Sequence, residues 1–184
     1  MPIVIGAKPE STFADPVGLL TDCHRRIERF LAVLVQVSQQ ANGGPLNSEQ
    51  GASLETALRY FREAAPKHTA DEEKTLFPRL RSLDQREVKE ALAQIEALEA
   101  DHHRAEAAHA EIDRLGQEWL TSGSMRAPAL ARFGQLVREL EQLYRGHIAV
   151  EERDVFPLAA AVLKRAEREA MGAEMVARRG LRQG

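Results

Sequence analysis

His68 stands four residues before Glu72 in KHTADEEKTLFPRL (residues 67–80), and the same arrangement returns as His147 and Glu151 in GHIAVEERDVFPLA (146–159). Residues four apart on a helix share one face, so each pair presents an imidazole and a carboxylate together. Such groups either satisfy one another through a hydrogen bond or bind a divalent cation. The chain has only six histidines, and where they fall decides between the two.

The apolar stripe of the second predicted helix runs Leu54, Leu58, Phe61 and Ala65, then passes through His68 and Glu72 to Leu76. The fourth helix repeats it with Phe133, Val137, Leu140, Tyr144, His147, Glu151 and Val155. On the first helix the stripe is Leu20, His24, Ile27, Leu31 and Leu34; on the third it is Ile95, Leu98, His102, Ala105, His109, Ile112 and Trp119. Every helix therefore turns at least one histidine inward. One inward histidine is more often a hydrogen-bonded core residue than a ligand. Several imidazoles buried with two carboxylates and no cation, however, cost several kcal/mol, whereas a divalent metal makes the same groups ligands. Four histidines and two glutamates exceed one tetrahedral zinc and suit two ions sharing bridging carboxylates. Imidazole with carboxylate also suits iron. His109 lies two turns beyond His102, too far to share its metal, and reads as a core or access-path histidine. Cys23 and His24 diverge by about 100° around a helix, which argues against a thiol nucleophile.

These side chains need long rods to carry them. Asp15-Pro16 opens a helix over 15–40, and NGGPLNS (42–48) separates it from a second, capped by Asn47 or Ser48 and running to Leu83. Pro66 and Pro78 must kink or interrupt that second helix. Asp84 and Glu87 have the form of a capping box for a third helix reaching Leu120. The loop Thr121–Pro128 leads into the fourth, and a short fifth segment spans 165–178. No stretch alternates apolar and polar residues long enough for a sheet. The expected fold is all-α, an up-down-up-down four-helix bundle over 15–165, with an N-terminal extension (1–14) and a C-terminal helical tail (166–184). An offset of 79 residues, His68 to His147, also carries Leu54, Leu58, Phe61, Glu72, Phe77 and Pro78 onto Phe133, Val137, Leu140, Glu151, Phe156 and Pro157. Helices one-two and three-four thus read as two copies of one hairpin.

With 43% hydrophobic and 29% charged residues the composition is that of a soluble globular protein, and a net charge of -3 gives no broad attraction to nucleic acid. The apolar start of MPIVIGAKPESTFADP is too short for a signal-peptide core, and no window approaches the roughly 18 apolar residues that span a bilayer. Lone Cys23, a packing thiol, fits a reducing compartment, so a cytoplasmic location is expected.

These residues resemble the hemerythrin-like family, the HHE cation-binding domains, over residues 15–165. The resemblance implies a non-haem centre of two iron ions, oxo- or hydroxo-bridged, with zinc the lesser candidate. Position by position, His24 in LTDCHRRI resembles the first ligand, His68 and Glu72 in HTADEE the next two, and His147 and Glu151 in HIAVEE the last two. In the family both glutamates can bridge the irons. Helix three offers His102 and His103 in LEADHHRAE; the apolar stripe favours His102, and the 79-residue register with His24 favours His103. The stripe decides, because facing the core is the physical requirement. Oxygen-carrying hemerythrins place a further histidine and an aspartate where this chain has Glu106 and Glu151. Carboxylates favour ferric iron, so a site that gained Glu106 would oxidise more readily and hold O2 less reversibly; the alternative for Glu106 is a solvated face. Glu73 and Glu152, repeated after each motif, are expected at the surface or hydrogen-bonded to ligating histidines. Tyr144 either bonds a bound oxygen species or fills the core.

The function expected on this resemblance is binding of, or reaction with, O2, peroxide or nitric oxide, in sensing, scavenging or iron handling. A peroxide-decomposing or stress-response di-iron enzyme is the first alternative, and an interaction module with a structural metal the second. A small diatomic or peroxide ligand is the expected partner, with no nucleic acid and no membrane. The segment AEREAMGAEMVARRGLRQG is a candidate for packing on the bundle, for a homodimer contact or for another partner.

Overall fold

A computed structural model describes residues 11–83 and 86–181. Every regular element among them is helical. α1 (Pro16–Ala41) starts where Asp15 Oδ1 accepts from the Gly18 N–H at 3.1 Å with Pro16 in the first turn, and ends at Asn42 in the left-handed region. Gly43 follows with φ +76°, and a Cβ there would stand 2.5 Å from the Met125 carbonyl. That close approach lets the Met125 N–H bond Gly43 O at 2.8 Å and closes one end of the molecule.

The second rod is broken into pieces. α2 (Ser48–Glu63) is capped by a reciprocal Asn47–Gln50 box. It stops at Ala64, because Pro66 lacks an N–H for the carbonyl four residues back; α3 (Ala65–Asp71) then resumes. A π-helical turn (Glu72–Leu76) leads into α4 (Phe77–Arg81). The Asp84 capping box expected next falls outside the described residues. α5 (Arg86–Ser122) is the third rod, and α6 (Ala127–Val150) begins the fourth. The fourth rod repeats the second's ending: a π-turn (Glu151–Val155), then α7 (Phe156–Val162). The two π-turns stand at the 79-residue offset, so the hairpin repeat extends to this backbone irregularity. α8 (Arg165–Arg178) follows.

α1 packs against α2 and α6, and α5 packs against the same two, so the rods close into a helical bundle; α8 lies against α1, α3 and the first π-turn. Two apolar cores fill it. One includes Ile27, Leu34, Leu54, Phe61, Ile112, Trp119 and Phe133, and the other Leu20, Leu76, Phe77, Ile95, Val155, Phe156, Met171 and Met175. On the four bundle rods His24, His68, His102 and His147 fall where one core gives way to the other, so this polar layer has an apolar core on either side. Among the described residues no helix is long and apolar enough to cross a membrane.

Candidate metal centre

The π-turns present the two carboxylates. In each, the N–H of the residue after the turn, Phe77 or Phe156, bonds the glutamate carbonyl five residues back. Pro78 and Pro157 come next and have no N–H to give, and the inserted residue absorbs the resulting fault in the ladder. Turns of this kind recur at functional sites.

Six buried side chains from all four bundle rods meet here. Glu72 Oε1 lies 3.2 Å from His68 Nε2 and 3.8 Å from His24 Nε2, while its Oε2 lies 3.3 Å from His102 Nε2. Glu151 Oε2 lies 3.0 Å from His24 Nε2 and 3.2 Å from His147 Nε2. The Nε2 atoms of His102 and His147 are 3.2 Å apart. Two overlapping groups result, one of His24, His68 and Glu72, the other of Glu72, His102, His147 and Glu151, each with its ligand atoms within 4.8 Å of one another. Glu72 belongs to both.

Neither oxygen of Glu72 or of Glu151 has a hydrogen-bond partner, and His24 Nε2 has none. Short contacts without hydrogen-bond geometry are what ligands around a common cation present. Two ligand atoms about 2.1 Å from one ion stand about 3.0 Å apart at a right angle and about 3.4 Å apart at the tetrahedral angle. Most of the separations above fall in that interval, so the donor set fits a metal. A sequence profile of the hemerythrin HHE cation-binding domain matches residues 15–159. The chain belongs to that family. An uncharacterized protein of Haemophilus influenzae is 27% identical over 178 residues, covering 94% of this chain and 95% of its own length. Membership implies metal binding, with iron the usual metal of hemerythrin domains.

Around the hemerythrin-like cluster, the acid after each glutamate reaches a histidine on another rod. Glu152 Oε1 lies 2.9 Å from His24 Nδ1, and Glu73 Oε1 lies 2.9 Å from His102 Nδ1. A proton held on Nδ1 leaves Nε2 free to face a metal. Arg25 in turn clamps Glu152. His147 Nδ1 is 3.6 Å from Asp101 and, like His68 Nδ1, has no hydrogen bond. The Phe156 ring stacks on His24 at 5.2 Å and 14°.

Burial alone would lower the pKa of His24, but Glu151, Glu152 and Glu72 outweigh it and raise it to about 11. At His102 burial is likewise overcome, by Glu72 and Glu73, giving about 9. His68 goes the other way, to about 4, because burial prevails over the nearby Glu72. Burial would raise the Glu72 carboxyl, yet His68, His102 and His24 hold it well below its usual range. Without a metal the surrounding carboxylates therefore favour protons on His24 and His102, and a cation would take the place of those protons.

His102 is buried and inside the cluster; His103 beside it is exposed. His103 and exposed Glu106 belong to neither group and line a cavity of about 490 Å3 against α2, α3 and α5. Tyr144 is buried with its hydroxyl 3.0 Å from His109 Nε2 and its ring 6.2 Å from that of His147. His109 stacks on Phe61 at 4.5 Å, and burial lowers its pKa to about 4. Helical periodicity missed two features of the site: the π-turns, and the fully buried Asp71 beside Glu72. Asp71 sits in a run of acids, and nothing in its spacing marks it as inward.

Proposed function

We propose that this chain is a non-haem di-iron protein that binds or reacts with O2, peroxide or nitric oxide, with His24, His68, Glu72, His102, His147 and Glu151 as ligands. His24 and His68 would hold one iron and His102 and His147 the other, with Glu72 and Glu151 available to both. The observation that carries this reading is the pair of buried carboxylates with no hydrogen-bond partner on any oxygen, set between two pairs of imidazoles. The closed ring of rod contacts supports an up-down-up-down arrangement of the four bundle rods.

Each iron would have about four protein donors, and an ion that prefers six keeps positions for exchangeable ligands. Access favours the same reading. The 490 Å3 cavity is walled by Leu58, Phe61, Ala65 and Ile112, with Glu73 and Tyr144, and of the six proposed ligands it reaches only His102. A small uncharged ligand entering there would meet the iron held by His102 and His147. A lone buried Cys23 and the composition fit a cytoplasmic protein.

The test is spectroscopic. Anaerobically reduced, iron-loaded protein should change its visible absorption on addition of O2, peroxide or nitric oxide. A loaded protein that stays silent to all three has a closed structural metal, and the reading fails.

A further inference from the structure

The two halves of the cluster differ at the outer side of the first π-turn. Asp71, immediately before Glu72, is fully buried, and both its oxygens are engaged by the end of α8. Oδ1 is bonded by Arg178, and Oδ2 accepts from Arg179 Nη2 at 2.6 Å. Arg178 also reaches across the turn to donate to Thr75 Oγ1 at 3.0 Å. From the following turn Arg79 donates to the Thr75 carbonyl at 2.8 Å and pairs with Glu174 of α8 at 2.6 Å. The π-turn carrying Glu72 is thus held at both ends by the C-terminal helix.

Among the described residues no equivalent clamp holds Glu151. At the 79-residue offset Asp71, Thr75 and Arg79 become Val150, Asp154 and Leu158, which cannot reproduce the arrangement. The chain supplies the clamp once, to one half of a duplicated site. α3, which bears His68, also lies against α8.

We infer that Asp71, Arg178 and Arg179 are positioning residues by which the C-terminal helix holds Glu72 and His68 in ligand geometry. The inference rests on the di-iron reading. His68 and Glu72 share the clamped segment, so its release costs the iron at His24 and His68 two of its ligands. The other iron keeps His102, His147 and Glu151. Loosening the clamp therefore removes one metal selectively rather than both.

The test compares full-length wild type, Arg178→Gln/Arg179→Gln and Arg178→Lys/Arg179→Lys, each loaded with iron and analysed for metal, with cobalt(II) titration followed by visible absorption. The Gln pair should fall from about two ions per chain to about one, with a cobalt end point near one equivalent. The Lys pair, which restores the charges on Asp71 but not the fork by which Arg178 also reaches Thr75, should regain part of the second ion. Because the Gln pair strands a buried carboxylate, Asp71→Asn is added to it as a second variant that removes the charge and keeps the fold. In that variant the second ion should still be missing while the metal-free protein retains wild-type helicity. Retention of both ions, or loss of both with the fold intact, overturns the inference. Wild type holding fewer than two ions overturns the di-iron reading itself, and that result is obtained before any variant is made.

Discussion

Replacing Glu152 with alanine removes the group that orients His24. His24 is the α1 ligand in the proposed centre, fully buried, with Nδ1 2.9 Å from Glu152 Oε1. Without that acceptor an Nδ1–H would be stranded among apolar neighbours, including the stacked Phe156 ring, at a cost of about 1–3 kcal/mol. Loss of a partner that orients a ligating histidine costs about 10–100-fold in metal affinity, which is the same energy expressed as a ratio. Arg25 already offsets the charge of Glu152, so the hydrogen bond rather than the charge sets the size of the effect. Glu152→Ala should therefore weaken zinc or cobalt(II) binding by about 30-fold in competition with a chromophoric chelator. Glu152→Gln keeps an acceptor and should lose less, and Glu73→Ala should act likewise through His102. A folded Glu152→Ala protein that binds metal within about twofold of wild type would refute the argument.

His109 tests burial apart from the metal. Its pKa is lowered from 6.5 to about 4, so its contribution to stability is complete above pH 6.5 and is lost as pH falls toward 4, by about 3 kcal/mol in all. Metal-free His109→Leu should thus lose less stability than wild type between pH 7 and 4.5 in urea melts, and parallel profiles would contradict this. His24 and His102, at about 11 and about 9, carry protons at pH 7 that a metal must displace, so loading should release about two protons per chain in weak buffer. A pH-stat that records no release counts against both as ligands. Phe156→Ala removes a buried ring that also braces His24, and should cost about 3–5 kcal/mol in chemical denaturation as well as weakening metal retention.

The rods were legible because their stripes are long and their loops strongly marked. α1 occupies Pro16–Ala41 where Asp15-Pro16 and the Gly-rich loop confine it. The meeting of four histidines with two glutamates was legible for the same reason, since polar residues at core spacing on four helices must converge. Burial separates His102 from His103, where the strict 79-residue register pointed the other way; the repeat holds at the π-turns and slips by one residue between α1 and α5. What stayed hidden is of two kinds. A π-turn adds a single residue to a helical repeat, and helical periodicity is too coarse to register it; Pro78 read only as a kink or interruption of the second helix. Contacts between distant segments, such as Glu152 with His24 or Arg178 with Asp71, depend on how rods are rotated against one another, which the face of each helix alone does not specify.

The iron and zinc content per chain of protein purified from an iron-supplied host decides whether the cluster holds two irons. A di-iron centre gives about two irons and little zinc. One zinc per chain would leave a structural metal site in place of a di-iron centre, and no metal at all would leave a helical bundle whose buried carboxylates are balanced by protons alone; either result contradicts the di-iron reading.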